Sequence, residues 1–389
     1  MYSMTRFSKL LKLFPKSSFQ QAVAQSKADH YVKSFKSWDL LVTMLYGQIT
    51  QTKSLRRLVD GFNSHNHDHY HLGTNACKRS TISESLSKRN VEPFKRVCDL
   101  LLSQASKKHK SECKNLVSLI DSTPIRLVGR GFEWTEAWKN RKEQGLKVHV
   151  ELNQQNNCPS YANITASNVN DITDAKTHIK IQKGTTYVMD KGYLDYNWWH
   201  EIDQKQAYFI TRIKSNTAYK VTKELGNDNE RYIQSDQVIE FKHKHPGGKR
   251  VNKYHGQPLR LVTVHRPDKK PMALITNDFD RSASEISKLY KDRWQIELFF
   301  KWMKQKLKLK TFFGRSENAV RIQIYCALIA FLLMKKLKNQ TPNWSKMIEL
   351  QTWLKHGLFV RESINTRYYK RRREKQELIK RLQTTLEFT

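Results

Sequence analysis

Apolar residues recur at helical spacing through the first third of the chain, then give way to short strand-like runs. Trp38, Leu40, Leu41, Met44 and Leu45 follow the 3.6-residue period. Ser54-Leu55-Arg56-Arg57-Leu58 opens a second, basic helix, and Thr81-Ile82-Ser83-Glu84 carries the capping pattern of a third, continued by Leu86. From Leu116 the period shortens. Leu116 to Asp121 is an apolar run that ends in an acid, Leu146 to Leu152 alternates, and Tyr161 to Ala166 is a third strand candidate. Thr186 to Asp190 is a fourth, again ending in an acid, with Gly192 in the following turn. Ala207–Ile213, Gln237–Phe241, Leu259–His265 and Met272–Thr276 then make a strand-rich block with turns such as His245-Pro246-Gly247-Gly248. Ser284–Leu309 and Glu317–Lys338 return to the helical period, and Arg361–Arg381 predicts a basic helix or tail. The order predicts an α/β chain: helices over 1–112, an α/β core over 113–204, an all-β insertion over 205–282, helices over 283–345 and a basic segment over 346–389.

The charge narrows the function. The 389 residues carry a formal net charge of +34, too lopsided for an ordinary soluble enzyme. Nine Trp, 16 Tyr and 17 Phe exclude a disordered basic protein, so a folded protein with a polyanionic partner is expected. Nucleic acid is the first candidate and an anionic membrane surface the second. A membrane span is not expected, because Ile322–Met334 is shorter than the roughly 20 residues a crossing needs and Lys335 and Lys336 follow it. Met1–Phe14 is basic and amphipathic and lacks the apolar segment of a signal peptide. Cys77, Cys98, Cys113, Cys158 and Cys326 are scattered, form no CxxC pair, and read as reduced thiols of a cytoplasmic protein.

The two strand-end acids carry the chemistry. A carboxylate at the end of an apolar strand costs desolvation unless a cation or donor meets it. Asp121 and Asp190 on neighbouring strands would suit Mg²⁺, which takes few protein ligands and keeps its waters and phosphates. With a third carboxylate, two ions about 3.5–4 Å apart could drive in-line attack on a phosphodiester. The plainer reading is that each Asp caps a turn. Tyr290, Arg293, Glu297 and Lys304 fall within about 60° of one helix face, a single acid among basic and aromatic groups. There the plainer reading is an i,i+4 Arg293–Glu297 ion pair.

Together these residues resemble a known family. Tyr290, Arg293, Glu297 and Lys304 match the YREK signature of bacterial insertion-sequence DDE transposases of the IS-four group. Asp121-Ser122-Thr123-Pro124-Ile125-Arg126-Leu127 looks like that group's first-Asp motif, and Tyr187-Val188-Met189-Asp190-Lys191-Gly192-Tyr193 like its second. Lys147–Val150 and Ile164–Asp171 resemble the strands between, and Trp38-Asp39 with Ser54-Leu55-Arg56 the N-terminal domain. The resemblance implies an RNase H-like catalytic core with an all-β insertion, a helical N-terminal domain for end binding and dimerisation, and a basic C-terminal helical segment. It implies Asp121, Asp190 and Glu297 as catalytic residues and as ligands of two Mg²⁺ ions, with Mn²⁺ able to substitute. Tyr290, Arg293, Trp294 and Lys304 would contact DNA. The implied reaction is cleavage at the terminal inverted repeats and transfer of the freed 3′-OH into target DNA, by a homodimer in the bacterial cytoplasm at the nucleoid. Some relatives form a DNA hairpin and stack a flipped base on a Trp of the β insertion. This chain has no Trp between His200 and Trp294, which leaves that step open, with Tyr208, Tyr219, Tyr232 and Tyr254 as substitutes.

Other features have plainer readings. His65, His67, His69 and His71 alternate and could bind Zn²⁺, but a polar loop is favoured. Trp198 and Trp199 read as core, and Asp171 and Asp174 as helix caps. Arg56, Arg57, Lys78 and Arg79, and the tail residues Arg367, Lys370, Arg371, Arg372 and Arg373, are candidate phosphate contacts. Two other functions stay open. One is a catalytically inactive transposase-derived DNA-binding protein; the other is a stand-alone metal-dependent nuclease.

Overall fold

The computed structural model describes residues 4–110, 116–127, 129–135, 145–226, 232–246, 248–267, 269–307, 311–340, 344, 346–361, 373 and 376–377. The expected tail contacts Arg367, Lys370, Arg371 and Arg372, and the fifth cysteine Cys113, lie outside the described residues. The chain forms two compact units, Met1–Leu101 with Met303–Thr389, and Leu102–Trp302.

The second unit is built on one nine-stranded sheet. Its strands are β1 (Val117–Arg126), β2 (Gly145–Asn153), β3 (Cys158–Ala166), β4 (Thr186–Met189), β5 (Tyr208–Arg212), β6 (Tyr219–Glu224), β7 (Ile233–Phe241), β8 (Leu259–Arg266) and β9 (Lys269–Thr276). The order is 3-2-1-4-5-9-8-7-6. β1, β2 and β3 are antiparallel neighbours, and β4 and β5 run parallel to β1. This 3-2-1-4-5 half is the RNase H-like order. β9 pairs antiparallel with β5, and β8, β7 and β6 continue as a meander, so the insertion extends the core sheet.

One expected boundary differs. The division at 205 falls before β5, but the parallel pairing of Tyr208–Ile210 with Thr186–Val188 makes β5 the fifth core strand. The added strands therefore begin at Tyr219. β6 is also a strand the pattern does not reveal. Its residues Tyr-Lys-Val-Thr-Lys-Glu alternate too weakly, and all but the first are exposed at the sheet edge.

Helices cover the sheet. Besides α1 (Arg6–Leu11), α2 (Lys16–Gln25), α3 (Ser37–Thr50), α4 (Leu55–Asn63), α5 (Arg79–Lys88) and α6 (Glu92–Lys110), the chain forms α7 (Asp171–His178), α8 (Tyr196–Gln204), α9 (Ala283–Asp292), α10 (Trp294–Lys306), α11 (Glu317–Gln340) and α12 (Met347–Lys355). α7 packs on β2 and α8 on β5, over a core that includes Ile120, Tyr187, Met189, Tyr193, Trp198, Trp199 and Phe209. Trp198 and Trp199 are fully buried core residues, with Trp199 stacked on Phe209 at 5.1 Å. α9 packs on β4, β5, β7 and β8 and opens with a capping box, Ser282 with Glu285. The single expected helix over Ser284–Leu309 is interrupted at Arg293, which ends α9 before Trp294 starts α10.

The first unit centres on α11. Of its residues, those from Ile322 to Met334 are buried on every side, against α1, α3, α5 and α12. A helix apolar all round must sit inside a bundle. The segment expected to complete the α/β core thus splits: α9 lies on the sheet, while α11 joins the N-terminal helices. Among the described residues no helix is long and apolar enough to cross a membrane. The histidine run folds as a 3₁₀ helix, Asn66–Leu72, with His69 stacked on Phe62 and His65 on Phe359.

Candidate active site

The sheet register brings two acids together. Ile120 on β1 faces Met189 on β4, and the next residue of each chain segment is an aspartate, Asp121 and Asp190. β4 ends there while β1 runs on beside β2 alone, so the strands part at the carboxyl end of a parallel pair. Such a divergence is the usual place for a site in an α/β sheet. Pro124 lies on this one-sided stretch, where a missing N–H costs no ladder bond towards β4.

The acids are held by backbone and by one arginine. Asp121 Oδ1 accepts the Ser122 N–H at 2.8 Å, and Asp190 Oδ1 accepts the Gly192 N–H at 2.7 Å, capping the 3₁₀ turn Lys191–Tyr193. Thr211 Oγ1, on β5, donates to the Asp190 carbonyl at 3.1 Å. Arg293 stands at the break between α9 and α10 and reaches two ways. Nη1 meets Asp121 Oδ2 at 3.3 Å and Nη2 meets Glu297 Oε1 at 2.6 Å. The expected i,i+4 pair is therefore present, and it also ties Glu297 to Asp121. Arg293 lies over the ring of buried Tyr290 at 5.9 Å.

The electrostatics of Asp121 are unusual. Burial, together with nearby Asp190 and Glu297, pushes its carboxyl up to about 7, against the pull of the Ser122 N–H and Arg293. Burial alone would depress the Arg293 guanidinium, but the Glu297 hydrogen bond, Tyr290 and Asp121 hold it above its ordinary value. Burial raises the Tyr290 phenol. One guanidinium thus meets two carboxylates, Asp121 and Glu297, and leaves Asp121 short of positive charge.

This charge deficit gives a pH dependence of stability. Asp121 is raised from an ordinary 3.8 to about 7, so between those values the folded chain keeps a proton that the unfolded chain releases. Stability must then fall as pH rises through that window. Without divalent ions, Asp121→Asn should gain stability over wild type between about pH 4 and 7 and hold the gain above it. Urea titrations at several pH values check this; a difference independent of pH would contradict it.

Among the described residues no three His, Cys, Asp or Glu side chains stand close enough to enclose one ion. The donor set nevertheless fits a hard divalent cation. It offers carboxylate oxygens, an under-neutralised Asp121, and an arginine placed where positive charge is needed.

The other expected contacts divide. Trp294 begins α10 with 57% of its surface exposed, next to Arg293. Lys304 lies further along α10, past Met303, and belongs to the helical unit, whereas the three acids belong to the sheet unit. Arg56, Arg57, Lys78 and Arg79 are all exposed. Asp171 and Asp174 are not caps. Asn170 is the N-cap residue of α7, and both acids point into the sheet. Asp171 Oδ1 accepts the Ser122 hydroxyl at 2.7 Å, and Asp174 accepts Tyr161 Oη at 3.0 Å and Asn163 Nδ2 at 2.6 Å. Nothing in the spacing singled these links out; the one legible signal was an acid pair opening a helix after a strand.

Comparison with known proteins points one way. Residues 112–333 match the family described as the transposase DDE domain, and residues 3–75 match a domain family of unknown function, DUF4372. The chain is 37% identical to y4zB of Sinorhizobium fredii, a protein named as a transposase, over 65% of this chain and 70% of that one. It is 25% identical to a protein named as the transposase of insertion sequence element IS5377 in Geobacillus stearothermophilus, over 79% of this chain and 78% of that one. A solved piggyBac transposase synaptic complex with hairpin DNA is similar with a TM-score of 0.45 at 12% identity, covering 90% of this chain and 77% of that one.

Proposed function

Because the chain belongs to the transposase DDE-domain family, we propose that it cuts DNA at the ends of its own insertion sequence and joins the freed 3′-OH to target DNA. The chain is a DNA transposase by family, and the family is generally dependent on divalent metal. The observation that carries the finer reading is the convergence at the β1–β4 divergence of Asp121 and Asp190 with Glu297, bridged to Asp121 by Arg293. Asp121, Asp190 and Glu297 would hold two Mg²⁺ ions, or Mn²⁺ in their place, and such ions would supply activation of the attacking oxygen and stabilisation of the leaving one.

The chain's own residues do the rest. Arg293 holds Glu297 and Asp121 in place and can offer its remaining donors to a phosphate. Tyr290 supports the guanidinium from below. Exposed Trp294 offers a ring face to an unstacked base. Among the four tyrosines considered as hairpin platforms, Tyr254 is buried, Tyr208 and Tyr219 are half-buried, and Tyr232 is 58% exposed, which favours Tyr232. Lys304 and the exposed Arg56, Arg57, Lys78 and Arg79 would follow phosphates of the terminal inverted repeats. The helical unit is then the end-binding and dimerisation domain, and a homodimer pairs the two ends. The spacing of Tyr290, Arg293, Glu297 and Lys304 supports placement in the IS-four group.

The test is strand cleavage of DNA carrying the gene's own flanking sequence. Wild type with Mg²⁺ should cut at two discrete ends, while EDTA or Glu297→Gln should stop it. Binding without cutting by wild type would favour an inactive DNA-binding relative, and scattered cuts would favour a nuclease.

A further inference from the structure

We infer that Asp171 is a positioning residue for the candidate active site, acting on Asp121 through Ser122 from the opposite face of the sheet. The inference rests on the reading of Asp121 as a functional carboxylate. β1 loses its β4 partner after Ile120, so Asp121 and Ser122 lie on backbone supported from one side, by Val150 and His149 of β2. Successive residues of a strand face opposite ways. Asp121 faces Arg293 and Ser122 faces α7. The Ser122 N–H donates to Asp121 Oδ1 at 2.8 Å, and the Ser122 hydroxyl donates to Asp171 Oδ1 at 2.7 Å. One residue therefore links the catalytic carboxylate to an anchor behind the sheet.

The anchor is itself fixed. Lys147 Nζ meets Asp171 Oδ1 at 3.0 Å and donates to the Val169 carbonyl at 2.8 Å. His149, 3% exposed, shares a hydrogen bond between Nε2 and Thr165 Oγ1 at 2.8 Å. That hydroxyl donates onward to the Ala166 carbonyl. The other imidazole nitrogen, Nδ1, has no hydrogen-bond partner and lies 3.6 Å from Asp171 Oδ1 and 3.8 Å from Asp174 Oδ2. Asp174 is 3% exposed and held by Tyr161, Asn163 and His178. Asp171 caps no helix, so its carboxylate faces Ser122, Lys147 and His149. Groups that orient a metal-binding side chain change metal affinity or activity about 10–100-fold when removed.

The experiment uses full-length protein as wild type, Ser122→Ala, Asp171→Ala, the double variant and Ser122→Thr. Three quantities are read: Mn²⁺ affinity by calorimetry without DNA, affinity for flanking DNA, and single-turnover cleavage. Each alanine variant should weaken Mn²⁺ binding and slow cleavage about tenfold or more, with DNA affinity within about twofold of wild type. The double variant should lose no more than the worse single variant, because both act through one bond. Ser122→Thr, which keeps the hydroxyl, should recover most of the loss. Wild-type Mn²⁺ affinity in Ser122→Ala overturns the inference, as do losses that multiply in the double variant. Should Asp171→Ala not fold, the Ser122→Ala and Ser122→Thr pair decides alone. If wild type leaves flanking DNA uncut, the transposase reading fails, and the Mn²⁺ series still decides whether Asp171 orients Asp121.

Discussion

Asp190→Asn is expected to slow DNA cleavage by about 10³-fold or more while DNA binding persists. The substitution keeps an oxygen for the Gly192 N–H, so the 3₁₀ turn Lys191–Tyr193 survives. What it removes is one negative charge among Asp121, Asp190 and Glu297. A bound ion supplies several kcal/mol of transition-state stabilisation, and each 1.36 kcal/mol is about tenfold in rate. Affinity for DNA should stay level or rise slightly, because the surface facing the phosphates becomes less negative. Single-turnover cleavage run beside a gel-shift titration separates the two effects. Cleavage at the wild-type rate would remove Asp190 from the proposed metal ligands.

The second large effect is on stability. Asp236→Ala should cost about 3–5 kcal/mol. Arg260 on β8 donates from Nε to Asp236 Oδ1 at 2.9 Å and from Nη2 to Oδ2 at 2.6 Å, and both residues are 5% exposed. Arg260 also donates to the carbonyls of Asp278 and Arg281, which lead into α9. Without Asp236 a buried guanidinium keeps its charge and loses its counter-ion. Replacing both partners by apolar residues of similar size should be much milder, since no charge is then stranded. Urea unfolding of the two variants makes the comparison. A cost below about 1 kcal/mol for Asp236→Ala would mean that the pair behaves like an exposed salt bridge.

The legible part of this molecule was the part governed by local periodicity. Strands β1 to β5 and β7 to β9 announced themselves by apolar or alternating runs, and Asp121 and Asp190 by closing two of those runs, although β1 continues past Asp121 to Arg126 and only β4 ends at its acid. β6 did not, because an exposed edge strand has no buried face to impose alternation. The break at Arg293 was hidden because the apolar spacing continues across it; the residue that ends α9 is held by Asp121 and Glu297, contacts that no local pattern encodes. The Ser122–Asp171 link was hidden for the same reason, joining residues from β1 and α7 that only the fold brings together. Glu317–Lys338 was legible as a helix, but nothing local told that it would be buried on every side or which helices would surround it.

That helix sets an order of events during synthesis. The helical unit is discontinuous: its first part ends at Leu101 and its central helix, α11, is complete only at Gln340. At about 5–20 residues per second, a ribosome takes on the order of 10–50 s to make the intervening chain. Through that interval α3 and α5 lack the apolar partner they pack on, while Leu102–Trp302 emerges as an unbroken segment able to close its own sheet. This chain order predicts that newly made chains pass through a state with the carboxylates assembled and the helical unit still open. A chain released early, before α11, would keep exposed helix faces and be a natural substrate for chaperones and proteases.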